Sequence, residues 1–117
     1  MVKRFDCILL DVVTANSPGG IDVVATNSND IDKITEHIKG LAPNVKIEEF
    51  PTTLGRISLV DGLRRRFSKL ENKDYSVALR IVQQLCLDGW EPYGNTRYYR
   101  SYGISFITMR RVSEIDN

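Results

Sequence analysis

A chain of 117 residues, 42% hydrophobic and 26% charged, holds the material of one domain and can bury a core without metal or disulfide support. That balance excludes collagen, low-complexity disorder and a coiled coil, and no apolar run approaches the ~20 residues of a membrane span. With a formal net charge of +1, the molecule has no overall field to draw it to nucleic acid or anionic lipid.

Residues 3–14 (KRFDCILLDVVT) read as a strand. Phe5, Cys7, Leu9 and Val13 fall on one face and Ile8, Leu10 and Val12 on the other, which predicts a central strand covered on both sides. The following ANSPGG is turn chemistry, and IDVVATN (21–27) reads as a short second strand. A helix comes next, with Ser28 or Asn29 as its cap and a stripe of Ile31, Ile34, Ile38 and Leu41, stopped by Pro43. VKIEEFP (45–51) alternates as a strand ended by proline, and GRISLV (55–60) is a further candidate.

The stretch SLVDGLRRRFSKL has two readings. Asp61-Gly62 marks a hairpin turn, whereas Leu59, Leu63, Phe67 and Leu70 would line a helix. Glycine costs a helix about 1 kcal/mol, which favours the hairpin. A second helix spans 74–88, capped by Asp74, with Ala78, Ile81, Val82, Leu85 and Cys86 as its buried stripe. Gly89 suits the left-handed residue after it, and Trp90 would fold back onto Leu85. Strands at 95–101 and 104–112, joined by Tyr102-Gly103, complete one globular domain over 1–112, with 113–117 as a frayed tail. The expected fold is α+β, a mainly antiparallel sheet with two helices packed on it. A strand–helix–strand–strand unit can be laid over itself by aligning residues 2–9 with 64–71.

Chemistry is sparse. Cys7 and Cys86 each lie in an apolar run and read as buried thiols, neither a disulfide framework nor a metal site. Two packed thiols outside any disulfide framework make a cytoplasmic location the expectation. His37 is the one histidine and reads as a solvated helix residue, so neither a metal nor a cofactor is implied. Glu48 and Glu49 point to opposite faces of a strand, and other acids are scattered singly, so no carboxylate pair is visible. Enzyme activity is not expected.

The charge distribution is more informative than its sum. Residues 1–58 hold six Lys/Arg against eight Asp/Glu, whereas residues 62–111 hold ten against four, and eight of those ten are arginine. In that half Arg97, Tyr98, Tyr99 and Arg100 alternate along a strand, so each face carries an aromatic ring beside a guanidinium. Such a pair suits a planar anion, the ring stacking on it and the arginine taking the charge. Arg110, Arg64 and Arg66 would join the patch if they share its sheet face. The competing reading is an ordinary solvated sheet surface.

Three functions follow from that patch. The first is a non-enzymatic binder of a nucleotide-like or other phosphate-bearing small ligand, at the patch or at a dimer seam. The others are a protein-interaction or self-assembly module, for which a homo-oligomer is expected, and nucleic-acid binding by the same surface. No membrane partner is expected.

Residues 74–112 resemble a small bacterial and phage family of unknown function, whose amphipathic helix ends in Gly-Trp-Glu before a hairpin with a basic last strand. Gly89, Trp90 and Glu91 match that helix end, and Arg110 and Arg111 match the basic strand end. The resemblance covers about a third of the chain and departs from the family in the N-terminal half and the Tyr-rich hairpin. It implies a small α+β fold and no known activity.

Overall fold

The computed structural model describes residues 2–13, 20–50, 63–71, 73–93, 97–99 and 104–115. In chain order the elements are β1 (Val2–Val13), β2 (Gly20–Ala25), α1 (Ser28–Leu41), β3 (Lys46–Phe50), β4 (Leu63–Ser68), α2 (Asp74–Leu87), β5 (Glu91–Pro92), β6 (Arg97–Tyr99) and β7 (Ile104–Ile115). Among the described residues the strands form one antiparallel sheet, ordered β3-β4-β2-β1-β7-β5, with β6 also paired to β7. The fold is α+β, two helices on an antiparallel sheet.

Register explains which residues go inside. Ile8, Leu10 and Val12 of β1 sit opposite Ala25, Val23 and Ile21 of β2, and all six are buried. They meet Ile31, Ile34 and Ile38 of α1, Val77, Ala78, Ile81 and Leu85 of α2, and Phe67, Met109 and Trp90 in one core. Because side chains alternate along a strand, everything one step out of that phase lies on the other side of the sheet.

Among the described residues that other side carries no helix. The expectation that β1 is covered on both sides is therefore corrected: Phe5 is 57% exposed, and Cys7, Leu9 and Asp11 are half-buried. Both helices pack on the same face, since their apolar stripes feed a single core. Apolar residues on both faces of a strand do not distinguish a second covering layer from a groove open to solvent.

Local differences follow the same logic. Asn27, not Ser28 or Asn29, caps α1, its Oδ1 accepting from the Asn29 N–H at 2.8 Å. Lys73 occupies the cap position of α2 without a side-chain bond, and Asp74 opens the first turn, where a carboxylate still favours the positive helix end. The end of α2 forms as expected: the Trp90 N–H donates to the Leu85 carbonyl (2.9 Å), the Gly89 N–H to Cys86 (3.2 Å), and Gly89 has φ +91°. Trp90 is core.

Residues 63–68 are extended, not helical, and pair with β3 and β2. The Asp61-Gly62 turn, the 55–60 strand, the segment 14–19 and the Tyr102-Gly103 turn lie outside the described residues. A helix followed by an antiparallel pair occurs twice, α1 with β3/β4 and α2 with β6/β7, on opposite flanks of the central β1-β2 hairpin. The strand ahead of α1 is β2, so the segment aligned from β1 is not the one that leads into a helix. β7 runs on to Ile115, opposite Val2, and so takes in three residues of the expected tail. Among the described residues no helix is long and apolar enough to cross a membrane.

Candidate functional site

The open sheet face is best described by rows across the strands. One row runs Thr108–Leu9–Val24–Arg64 through β7, β1, β2 and β4. The next runs Asp11–Asp22–Arg66–Glu48 through β1, β2, β4 and β3, and on the other side of the first come Arg110–Cys7 and then Val112–Phe5. The centre of this face is apolar: a groove of about 150 Å³ is lined by Cys7, Leu9, Val24, Thr26 and Thr108. Arg64 stands beside Val24 at one side of the groove, and Arg110 beside Cys7 at the other.

Each flanking arginine is already held. Arg64 Nη2 donates to Asp22 Oδ2 at 2.8 Å, and Arg66 Nε to Asp22 Oδ1 at 2.7 Å, so two guanidinium groups share one carboxylate. Arg110 Nε donates to Glu91 Oε1 at 2.7 Å, while its guanidinium lies 4.6 Å above the Tyr93 ring. A cation stacked on a ring and fixed by one carboxylate keeps further N–H donors for a ligand.

The sequence reading missed a carboxylate pair. Asp11 and Asp22 lie opposite each other in the adjacent strands β1 and β2. Burial would raise the Asp22 carboxyl, but hydrogen bonds from Arg66 and Arg64 outweigh it and hold the group below its ordinary value. Burial and the neighbouring Asp22 charge instead push Asp11 up to about 6, against the pull of Arg64 and Arg66. Asp11 Oδ1 is enclosed and has no hydrogen-bond partner among the described residues. The signal for this pair is the register of the β1-β2 hairpin, which places residue 11 against 22 once the alternation of each strand is known.

The expected patch is brought together in part. Arg64, Arg66 and Arg110 share the open face, but β4 and β7 are three strand spacings apart, about 14 Å. β6 places Arg97, Tyr98 and Tyr99 in register with Phe106, Ser105 and Ile104. The side chains of Arg97, Tyr98 and Tyr99, and Arg100 altogether, lie outside the described residues. Tyr93, which the expected site omitted, is the ring that stacks on a described arginine of this face.

The other basic residues point to the helix side. Arg65 bonds Asp32 (2.7 Å), Glu49 (2.8 Å) and Thr35 (3.0 Å). Arg111 lies within 3.4 Å of Asp6 and 3.3 Å of Asp30, and 4.6 Å above Trp90. Glu48 and Glu49 do face opposite ways, one to the Arg66 row and the other to Arg65. His37 is half-buried, not solvated: it sits where α1 meets Gln84 and Asp88 of α2, and its Nε2 is enclosed without a partner among the described residues. Cys7 is half-buried and Cys86 exposed, so the reading of Cys86 as a packed thiol is corrected; Leu85 takes the inward position and residue 86 falls on the flank. Among the described residues no three His, Cys, Asp or Glu side chains are grouped to hold a metal ion.

No family model and no curated protein matches this chain. Among solved structures it is similar to a conserved kinetoplastid-specific protein from Trypanosoma cruzi, at 14% identity and a TM-score of 0.56, over 90% of this chain and 92% of that one. A likeness at that identity speaks to the fold alone.

Proposed function

We propose that the protein is a non-enzymatic binding domain whose open sheet face takes a small, flat, anion-bearing ligand such as a nucleotide. The observation that carries this reading is the apolar groove with a guanidinium on either side, Arg64 across β2 and Arg110 on Tyr93. At about 150 Å³ the groove is below the roughly 300 Å³ of a full small-molecule pocket, which fits one ring-sized group with its charge outside. The described arginines of β4 and β7 all pair with carboxylates, Arg64 and Arg66 with the same one, which interrupts any basic strip among the described residues and weighs against nucleic acid.

The test is a thermal-shift and calorimetric screen with nucleoside mono- and triphosphates. A ligand that binds only the native state stabilises it by about 2.7 kcal/mol at a hundred times its Kd. Arg110→Ala and Arg64→Ala are each expected to weaken binding about tenfold or more, since a hydrogen bond to a charged group contributes roughly 1.5–3 kcal/mol. Arg80→Ala, on the exposed side of α2, is expected to leave it unchanged. No shift with any phosphate ester at millimolar concentration would remove this reading; tight oligonucleotide binding that falls steeply with salt would replace it.

A further inference from the structure

Asp11, Asp22, Arg64 and Arg66 form one charged cluster on the open face, beside the groove. Asp22 is its fixed member: the side chain is 8% exposed and accepts from Arg64 Nη2 at 2.8 Å and from Arg66 Nε at 2.7 Å. The arginine side chains are 25% and 43% exposed, so both reach solvent while held by a buried carboxylate. Together these three groups carry a net positive charge. Asp11 stands directly opposite Asp22 across the β1-β2 pair. Ionised, it brings the cluster to neutrality; protonated, it leaves the positive charge beside the groove. Its Oδ1 is enclosed with no hydrogen-bond donor among the described residues, so it lacks the anchoring that Asp22 has. The other charged group in this row is Glu48 of β3, already paired with Lys46 at 3.3 Å, and on β7 the register partner of Asp11 is the uncharged Phe106. Asp22 and further interactions hold both arginines, so Asp11 sets the charge of the cluster and not its placement.

We propose that Asp11 is a built-in competitor for the anion that the open face takes. The ligand's charged group and the ionised Asp11 carboxylate balance the same positive charge, so the anion binds tightly only while Asp11 carries a proton. This rests on the ligand reading above and adds its regulation. With Asp11 neutral, an anion at Arg64 meets a cluster of opposite sign. With Asp11 ionised, it meets a neutral cluster and a second carboxylate close by, and its affinity falls. Burial and the neighbouring Asp22 charge bring that change to about pH 6, against the pull of Arg64 and Arg66. The coupling is reciprocal: an anion bound at Arg64 favours the proton on Asp11, so binding takes up protons between about pH 5 and 7. Arg110, across the groove, has its own carboxylate and ring in Glu91 and Tyr93 and contributes alike at every pH.

Calorimetry of the full chain with nucleoside 5′-monophosphates and with inorganic sulfate, at pH 5, 6, 7 and 8, tests this. Asp11→Asn stays neutral throughout and is the reference, because comparison at one pH cancels any titration of the probe itself. The two proteins should bind alike at pH 5. At pH 8 Asp11→Asn should bind about three- to tenfold more tightly than the parent, the effect of one charge near an anion in partly screened surroundings. In buffers of unlike ionisation enthalpy, the parent should take up more protons on binding near pH 6 than the variant does. A gain in affinity confined to high pH is not what a loosened fold would produce. Equal affinities at pH 8, or a gain of the same size at every pH, would overturn the proposal and leave the ligand reading in place. No binding of any of these probes at millimolar concentration, to parent or variant at any pH, would remove both.

Discussion

Asp11 is the residue whose environment most changes its chemistry. In the unfolded chain it titrates near 3.8, and in the folded protein near 6. Between those values the folded state holds a proton that the unfolded chain has released, so its contribution to stability falls as pH rises through the window and then levels off. Asp22 acts in the opposite sense: its folded value is lowered, so its pairing with Arg64 and Arg66 is lost only as pH falls below about 3.8. Asp11→Asn should therefore stabilise the protein above pH 6, by on the order of 1 kcal/mol once solvent screening of this half-buried group is allowed for, and do little near pH 4. Urea titrations at pH 4, 5, 6 and 8 check it; an equal gain at every pH would assign the effect to packing. Neither member of this pair stands out in the primary structure, because each is a lone acid in an apolar strand. Their meeting depends on the register of β1 against β2.

At the scale of the elements, two glycines are needed for different reasons. A Cβ on Gly20 would stand 2.7 Å from the Phe67 carbonyl oxygen, inside the β2–β4 pair, where backbone cannot give way. Gly89 has nothing within 4 Å but sits at φ +91° at the end of α2. Gly20→Ala should cost about 2 kcal/mol through crowding, and Gly89→Ala about 1 kcal/mol through backbone strain. Asparagine separates the two causes. It tolerates a left-handed backbone, so Gly89→Asn should lose less than Gly89→Ala, whereas Gly20→Asn should be no milder than Gly20→Ala. Melting temperatures of the four variants decide between these outcomes. The role of Gly89 is legible from LCLDGW, since a helix stripe ending before glycine and an apolar residue describes its own cap. That of Gly20 is not, because the atom it must avoid belongs to a strand more than forty residues away.

Across the whole molecule, β1 and β7 lie side by side, and Arg111 ties that pair to the helical layer. Its guanidinium reaches Asp6 of β1 and Asp30 of α1 and stacks on Trp90 after α2; the two carboxylates are 4% and 6% exposed. Arg4 also holds Asp6, at 3.1 Å, so loss of Arg111 leaves Asp30 as the buried charge without its partner. Arg111→Met should cost about 3 kcal/mol, the range found when one member of a buried pair is removed. Arg111→Lys should recover part of this, because an ammonium restores charge but neither the fork nor the stacked plane. The midpoint and slope of denaturant unfolding measure both; a neutral Arg111→Met would mean that the carboxylates are solvated.

Read alone, the amino-acid order determines what repeats locally. The Ile31–Ile34–Ile38 stripe, the glycine after α2 and the alternation of β1 all follow from neighbours a few residues apart, where backbone geometry sets the period, whereas the extended state of 63–68 is set by its pairing with β2 and β3. It also determines that arginine and tyrosine crowd into the second half. Tertiary structure alone decided which of those side chains meet. Strand order placed β4 and β7 three strands apart and put a groove between Arg64 and Arg110, while strand phase sent Arg65 and Arg111 to the helices. It also left one face of the sheet without a helix among the described residues. Apolar periodicity records that a side chain avoids water but not which partner covers it, and pairing across the sheet is set by contacts remote in the chain.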